Sequence, residues 1–196
     1  NRVTHTEVLK KMKNLRYFKA SSCVLDHIDF LKTAVHLKEL NVYNNNIKNI
    51  DVLQNCLEMT NLDVGNNHIQ DIRCLANMKN LEGLGLANNN IKDLTPLEHL
   101  TNLGTLDLYA NVITDLKPLS NLINLISLRL DHNGIYDLEP LKPLVYLTSL
   151  TLKANYVTDV EPLLGLKNLI ELRLVDNPIE NIEILKPLEV YEKLSA

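Results

Sequence analysis

The sequence holds no tryptophan, two phenylalanines, three cysteines and six glycines in 196 residues. A core so short of large aromatics must be filled by aliphatic side chains. Cys23, Cys56 and Cys74 are an odd, unclustered set, which excludes a disulfide framework and a zinc site. Free thiols and the lack of an N-x-[ST] sequon suit a reducing or bacterial setting. No apolar run approaches the roughly 18 residues that cross a bilayer. A formal charge of -4 and a pI of about 5.9 leave no broad basic field, so nucleic acid is a poor ligand. His5, His27, His36, His68, His99 and His132 are scattered without ligand spacing, and no nucleophile or phosphate-cradle motif is present. These absences point away from an enzyme, a metal and a cofactor.

What is abundant is periodic. Asparagine recurs every 22 residues at Asn45, Asn67, Asn89, Asn111, Asn133, Asn155 and Asn177. Each copy sits in one frame, L-x-x-L-x-L-x-x-N-x-I, as in Leu81, Leu84, Leu86, Asn89 and Ile91. One period earlier Cys23 takes the asparagine place, with Leu15, Phe18, Ala20 and Leu25 around it, so a degenerate unit opens the array. Seven places in each of eight units should be apolar, and every one of them is. This is the signature of leucine-rich repeats, a curved α/β solenoid with a concave parallel sheet and convex 3₁₀ turns.

Each unit can be read physically. The stretch Gly83-Leu84-Gly85-Leu86-Ala87 alternates with period two and predicts a short strand with its leucines inward. The asparagine turns the chain and satisfies buried backbone groups. Asp71, Asp93, Asp115, Asp137 and Asp159, with Asn49 and Asn181 in the same place at the ends, form a column that could suggest calcium. Asp or Asn is also what a turn cap requires, and capping is the expected role. Thr4 and Glu7 have capping-box spacing, so residues 4–13 read as a cap helix. The expected organisation is a single domain: a cap at 1–14, eight repeats at 15–190 and a tail at 191–196. Val190, Tyr191 and Leu194 suit either a second cap or a docking surface.

The run Asn90-Ile91-Lys92-Asp93-Leu94-Thr95-Pro96-Leu97, followed by His99-Leu100-Thr101-Asn102-Leu103, closely resembles the repeat of internalins, bacterial surface proteins. The Asp-x-x-Pro-Leu signature recurs from Asp115, Asp137 and Asp159, while Val52, Cys74 and Ile184 replace the proline elsewhere. The resemblance implies a surface or secreted binding protein. The repeat length is also similar to that of the intracellular regulatory subunits of type-one protein phosphatase, which implies a cytoplasmic or nuclear scaffold as the alternative.

A binding module of this shape works through the outward places of its strands. A protein partner is expected on the concave face, and the chain itself is expected to be a monomer. Gly65, Gly83, Gly85 and Ala87 form a bare floor, flanked by Tyr43 and Tyr109, whose rigid rings suit interface anchors. Charge is arranged along the same columns: Asp63, Asp107 and Asp131 toward the centre, Arg129, Lys153 and Arg173 toward the C-terminal units. Asp107 should face Arg129 and Asp131 should face Lys153 across neighbouring strands. Asp63 and Arg173 have no opposite charge beside them in their column, which makes them reporters of partner charge.

Overall fold

The computed structural model describes residues 6–188 of the 196-residue chain. Eight three-residue strands recur at the repeat spacing: β1 Tyr17–Lys19, β2 Glu39–Asn41, β3 Asn61–Asp63, β4 Gly83–Gly85, β5 Thr105–Asp107, β6 Ser127–Arg129, β7 Ser149–Thr151 and β8 Glu171–Arg173. They pair in chain order into one parallel sheet. The register places each residue opposite the one 22 positions on, so Leu62 stands beside Leu40 and Leu84. Every column is therefore a row of equivalent positions. A neighbouring row lies about 4.8 Å away along the sheet.

Returns on the convex side are single 3₁₀ turns such as Thr95–Leu97 and Lys117–Leu119. The apolar frame forms one continuous aliphatic core. Only Leu15, Phe18, Ile179 and Ile182 of that frame are less than fully buried, and all four lie in the first and last units. Phe18 and Phe30 meet edge to face at 5.7 Å, so both phenylalanines pack in the N-terminal unit. Thr6–Lys11 is 3₁₀ helix within the expected cap. Thr4 of the proposed capping box lies outside the described residues, as do Val190, Tyr191 and Leu194.

The asparagine ladder holds adjacent units together. Asn89 donates from Nδ2 to the carbonyls of Leu86 in its own unit and Val64 in the preceding one, at 3.1 Å each, and its Oδ1 accepts the Ile69 N–H at 2.9 Å. The same pattern serves Asn67, Asn111, Asn133, Asn155 and Asn177. Each asparagine pairs groups that water cannot reach. Cys23 takes the ladder place in the first unit, and its N–H donates to Asn45 Oδ1 at 3.1 Å. The Ala20 carbonyl still accepts from Asn45 Nδ2 at 2.9 Å, so the second unit supplies the tie at that point.

The residue before each ladder position is left-handed: Ser22, Asn44, Asn66, Asn88, Ala110, His132, Ala154 and Asp176 have φ between 49° and 60°. Asparagine in units two to four suits that conformation; alanine at 110 and 154 does not. The aspartate column caps the convex turns from one residue outside the usual N-cap. Asp93, Asp115, Asp137 and Asp159 accept through Oδ1 from the N–H two residues on, at 2.8–2.9 Å. Asn181 departs from the column. It stands at the N-cap itself, sends Nδ2 to Asp159 Oδ1 at 2.6 Å and accepts the Val160 N–H at 3.1 Å, so it ties the last unit back instead of capping it.

Candidate functional site

Outward places six and four before each asparagine line an open groove of about 590 Å³ over β1 to β6. Its floor is Gly83 and Gly85, and Asp63, Asp107 and Arg129 stand around them. Neither glycine has positive φ, so their role is spatial. A Cβ on Gly85 would lie 2.8 Å from Asp63 Oδ1, and one on Gly83 would lie 2.6 Å from Asn61 Oδ1. The glycines leave room for neighbouring polar side chains to lie across the sheet. Lys19, Glu39, Asn41, Asn61, Thr105 and Ser127 complete the lining. These six were not among the expected site residues: Asn41, Asn61, Thr105 and Ser127 are neutral polar side chains, and Lys19 and Glu39 pair with each other at 3.5 Å at the N-terminal end of the columns.

Tyr43, Gly65, Ala87 and Tyr109 lie one column over, beside the turn and outside the groove lining. Gly65 and Ala87 are buried, and the Tyr43 ring leans over Gly65 with Cδ2 3.1 Å from where a Cβ would sit. Tyr109 is engaged within the chain. The Arg129 guanidinium sits 4.2 Å above its ring centre, and His132 meets its edge at 5.3 Å.

Charge pairing differs in part from expectation. Arg129 reaches Asp107 at 3.5 Å across the strands, as the columns suggested, but it also holds Asp131 at 3.1 Å, two residues on in its own unit. Asp131 does not pair with the Lys153 ammonium. Its buried carboxylate accepts the Lys153 backbone N–H at 2.8 Å and the Thr151 hydroxyl at 2.6 Å, while Lys153 Nζ turns to Asp176 at 3.6 Å. Arg173 is not an unpaired charge either, since Glu171 on the same strand meets it at 2.7 Å. Side chains two apart on a strand share a face, and these pairs form there. Lys153 and Arg173 lie outside the groove lining.

Asp63 has no cationic partner among its hydrogen bonds. Its carboxylate accepts the Gly65 N–H at 3.0 Å and the Asn41 amide at 3.1 Å. Burial pushes its carboxyl above the ordinary carboxylate range, against the lowering effect of the Gly65 N–H, and nearby Asp107 adds to the rise. Burial also pushes the Cys56 thiol up to about 11 and the Cys74 thiol to about 12, so neither is a ready nucleophile. Among the described residues, no group of three or more His, Cys, Asp or Glu could hold a metal, and no helix is long and apolar enough to cross a membrane.

An eight-stranded parallel sheet bent around a leucine core, with its outward face grooved and polar, defines a leucine-rich repeat protein. The family model for Leucine Rich repeats (2 copies) matches residues 35–77 and 79–121. No curated protein matches the sequence significantly. Among solved structures, the chain is similar to internalin C2 of Listeria monocytogenes, with 31% identity and a TM-score of 0.86 over 92% of this chain and 80% of that one. It is similar to internalin F of the same organism, with 30% identity and a TM-score of 0.87, covering 94% of this chain and 55% of that one. The functional domain of InlJ, also from that organism, shares the fold at 24% identity and a TM-score of 0.84, over 92% of this chain and 39% of that one. The chain belongs to the internalin family of leucine-rich repeat proteins. Repeat folds of this kind are protein-interaction modules and are generally not enzymes.

Proposed function

We propose that this chain is a non-catalytic, internalin-like binding module of a surface or secreted protein, and that its concave face takes a protein partner. The observation that carries the reading is the groove over β1 to β6, about 590 Å³, open along the sheet and floored by Gly83 and Gly85. Polar groups of both signs line it, which favours orientation and specificity over bulk apolar affinity. Asp63, unmatched by a cation, suits a basic group on the partner. Tyr43 flanks the floor with its ring partly exposed. Arg129 and Tyr109 brace each other, so that corner is ordered before a partner arrives.

A photo-crosslinking residue at Thr105, inside the groove, should capture a protein from host-cell or envelope extracts. The same residue at Glu98, on the convex turn, should not. Gly85→Arg should abolish the adduct by filling the floor. Capture from position 98 alone would move binding to the other side of the solenoid and overturn the reading.

A further inference from the structure

The edge leading from the convex turns into the strands changes character halfway along the array. In its N-terminal half exposed Val35 and Leu57 are interspersed with charge: Arg16 lies 4.0 Å from Glu58, and His36 bonds Glu58 at 2.6 Å. In units six to eight the same columns present Ile123, Ile126, Val145, Tyr146 and Ile170, all between 42% and 64% exposed. They are contiguous. The Thr148 N–H donates to the Ile126 carbonyl and the Ile170 N–H to the Thr148 carbonyl, both at 2.8 Å, so these rows stack unit on unit. With about half of each exposed, the five together present on the order of 500 Å² of apolar surface, at the upper end of the largest patch on a typical monomer, a size that is often functional.

Tyr146 carries an independent signal. Asn80, Asn102, Asn124 and Asn168 occupy its place in units four, five, six and eight, and each donates from Nδ2 to a backbone carbonyl of the preceding repeat at 2.8–2.9 Å, while His36 and Glu58 in units two and three bond each other at 2.6 Å instead. Tyr146 lacks the carboxamide and so forgoes that tie, yet its ring stays in solvent. A residue that gives up an inter-repeat hydrogen bond without gaining burial is set for a contact outside the chain.

We infer that this patch is the interface of a symmetric dimer and that its occupant is a second copy of the same chain. Two patches brought together cover about 1,000 Å² before their polar rims are counted, the size at which a specific interface begins. Two-fold symmetry places the same surface on both partners, which requires a surface that tolerates itself. This one does. From Gly104 to Ile170 the three edge columns hold a single formal charge, Lys167, so two copies of a chain with net charge -4 meet here without like-charge opposition. The groove lies on the sheet face, apart from this edge, and stays open in the dimer. The proposed dimer departs from the monomer expected from the sequence, on an exposure pattern that periodicity alone does not show.

Sedimentation velocity between about 1 μM and about 200 μM, the range where interfaces of this size associate, tests the inference. The wild-type chain should pass from monomer to dimer. Tyr146→Asn combined with Ile126→Thr, residues that other units carry in those places, should remain monomeric throughout while melting at the same temperature or higher. A wild-type chain that stays monomeric, including one whose patch is covered by a different protein, overturns the inference. So does a dimer that survives the double substitution. Thr105→Arg, inside the groove, should leave the dimer intact, which separates failure of this inference from failure of the groove reading.

Discussion

Replacing Asn111 by alanine should cost the fold about 2–4 kcal/mol, and the magnitude follows from which of its partners have a substitute. Its Nδ2 donates to the Leu86 carbonyl at 3.0 Å and the Leu108 carbonyl at 3.2 Å, and Oδ1 accepts the Ile91 N–H at 3.0 Å. The carbonyls are served twice. Leu86 also accepts from Asn89 at 3.1 Å, and Leu108 also accepts from Asn133 at 3.0 Å. The Ile91 N–H has no second acceptor, and its residue is fully buried. Orphaning that donor costs about 1–3 kcal/mol, and thinning the two carbonyls adds about 1 kcal/mol. Urea unfolding followed by circular dichroism should show the loss, and amide exchange should show Ile91 losing protection. Cys23→Ala is the control. It should cost less than about 0.5 kcal/mol, because the polar contact of the Cys23 side chain is an exposed one, Sγ to the Ser21 carbonyl at 3.3 Å. If Asn111→Ala costs under about 1 kcal/mol with Ile91 still protected, the ladder is not the tie between units.

Four further outcomes follow from local geometry. Hydrogen bonds lower the carboxyl pKa of Asp71, chiefly from the Arg73 side chain, of Asp93, chiefly from the Thr95 side chain, and of Asp159, chiefly from the Glu161 N–H. Folded values below unfolded ones give stability that is present above the unfolded value of about 3.9 and lost as pH falls through the folded values, so melting should drop below about pH 4. Changing all three to alanine should flatten that drop, and an unchanged profile would remove capping as its cause. Asp63 has the opposite sign, its pKa being raised, so its ionised form costs stability at neutral pH. Asp63→Asn, which keeps an acceptor for the Gly65 N–H, should melt no lower than wild type at pH 7. Ala154→Gly relieves a φ of 55° and should gain about 0.5–1 kcal/mol by chemical denaturation; a loss would mean the turn is not strained. Gly85→Ala should cost about 1–2 kcal/mol, because its Cβ displaces an Asp63 carboxylate held by Gly65 and Asn41, whereas Gly165→Ala meets nothing within 4 Å and should be neutral.

The frame was legible because a parallel sheet in strict register turns sequence spacing directly into spatial neighbours. Once Asn89 and Asn111 are aligned, Leu84 and Leu106 must stack, and they do. Charge pairing was only partly legible. Column comparison finds neighbours across strands, such as Asp107 and Arg129, but overlooks the i,i+2 neighbours that share a face, and Arg173 with Glu171 is such a pair. That signal was present in the same period-two alternation that located the strands. Asp131 was beyond reach for a different reason. Its partners include a backbone N–H and the Thr151 hydroxyl, and neither carries a charge to look for. The groove itself depends on how Asn61 and Asp63 lie over glycines, a matter of side-chain direction that spacing does not encode.

The same register explains why surface and core behave as separable layers in this chain. Leu62 and Leu150 fill equivalent core places and are equally out of reach of solvent, though one lies in the polar half of the array and the other in the apolar half. Stability is then close to a sum over similar units and their interfaces, and an outward substitution changes that sum only where it breaks an inter-unit tie. Ser127 in place of Gly83 breaks no ladder bond and simply changes what the groove offers. Tyr146 in place of asparagine does give up a tie. A position that departs from its column at a cost to the scaffold is therefore better evidence of a contact than one that departs without cost. By that measure the edge around Tyr146 carries a stronger mark of external pressure than the tyrosines on the concave side, where Tyr43 covers Gly65 and Tyr109 is held by Arg129.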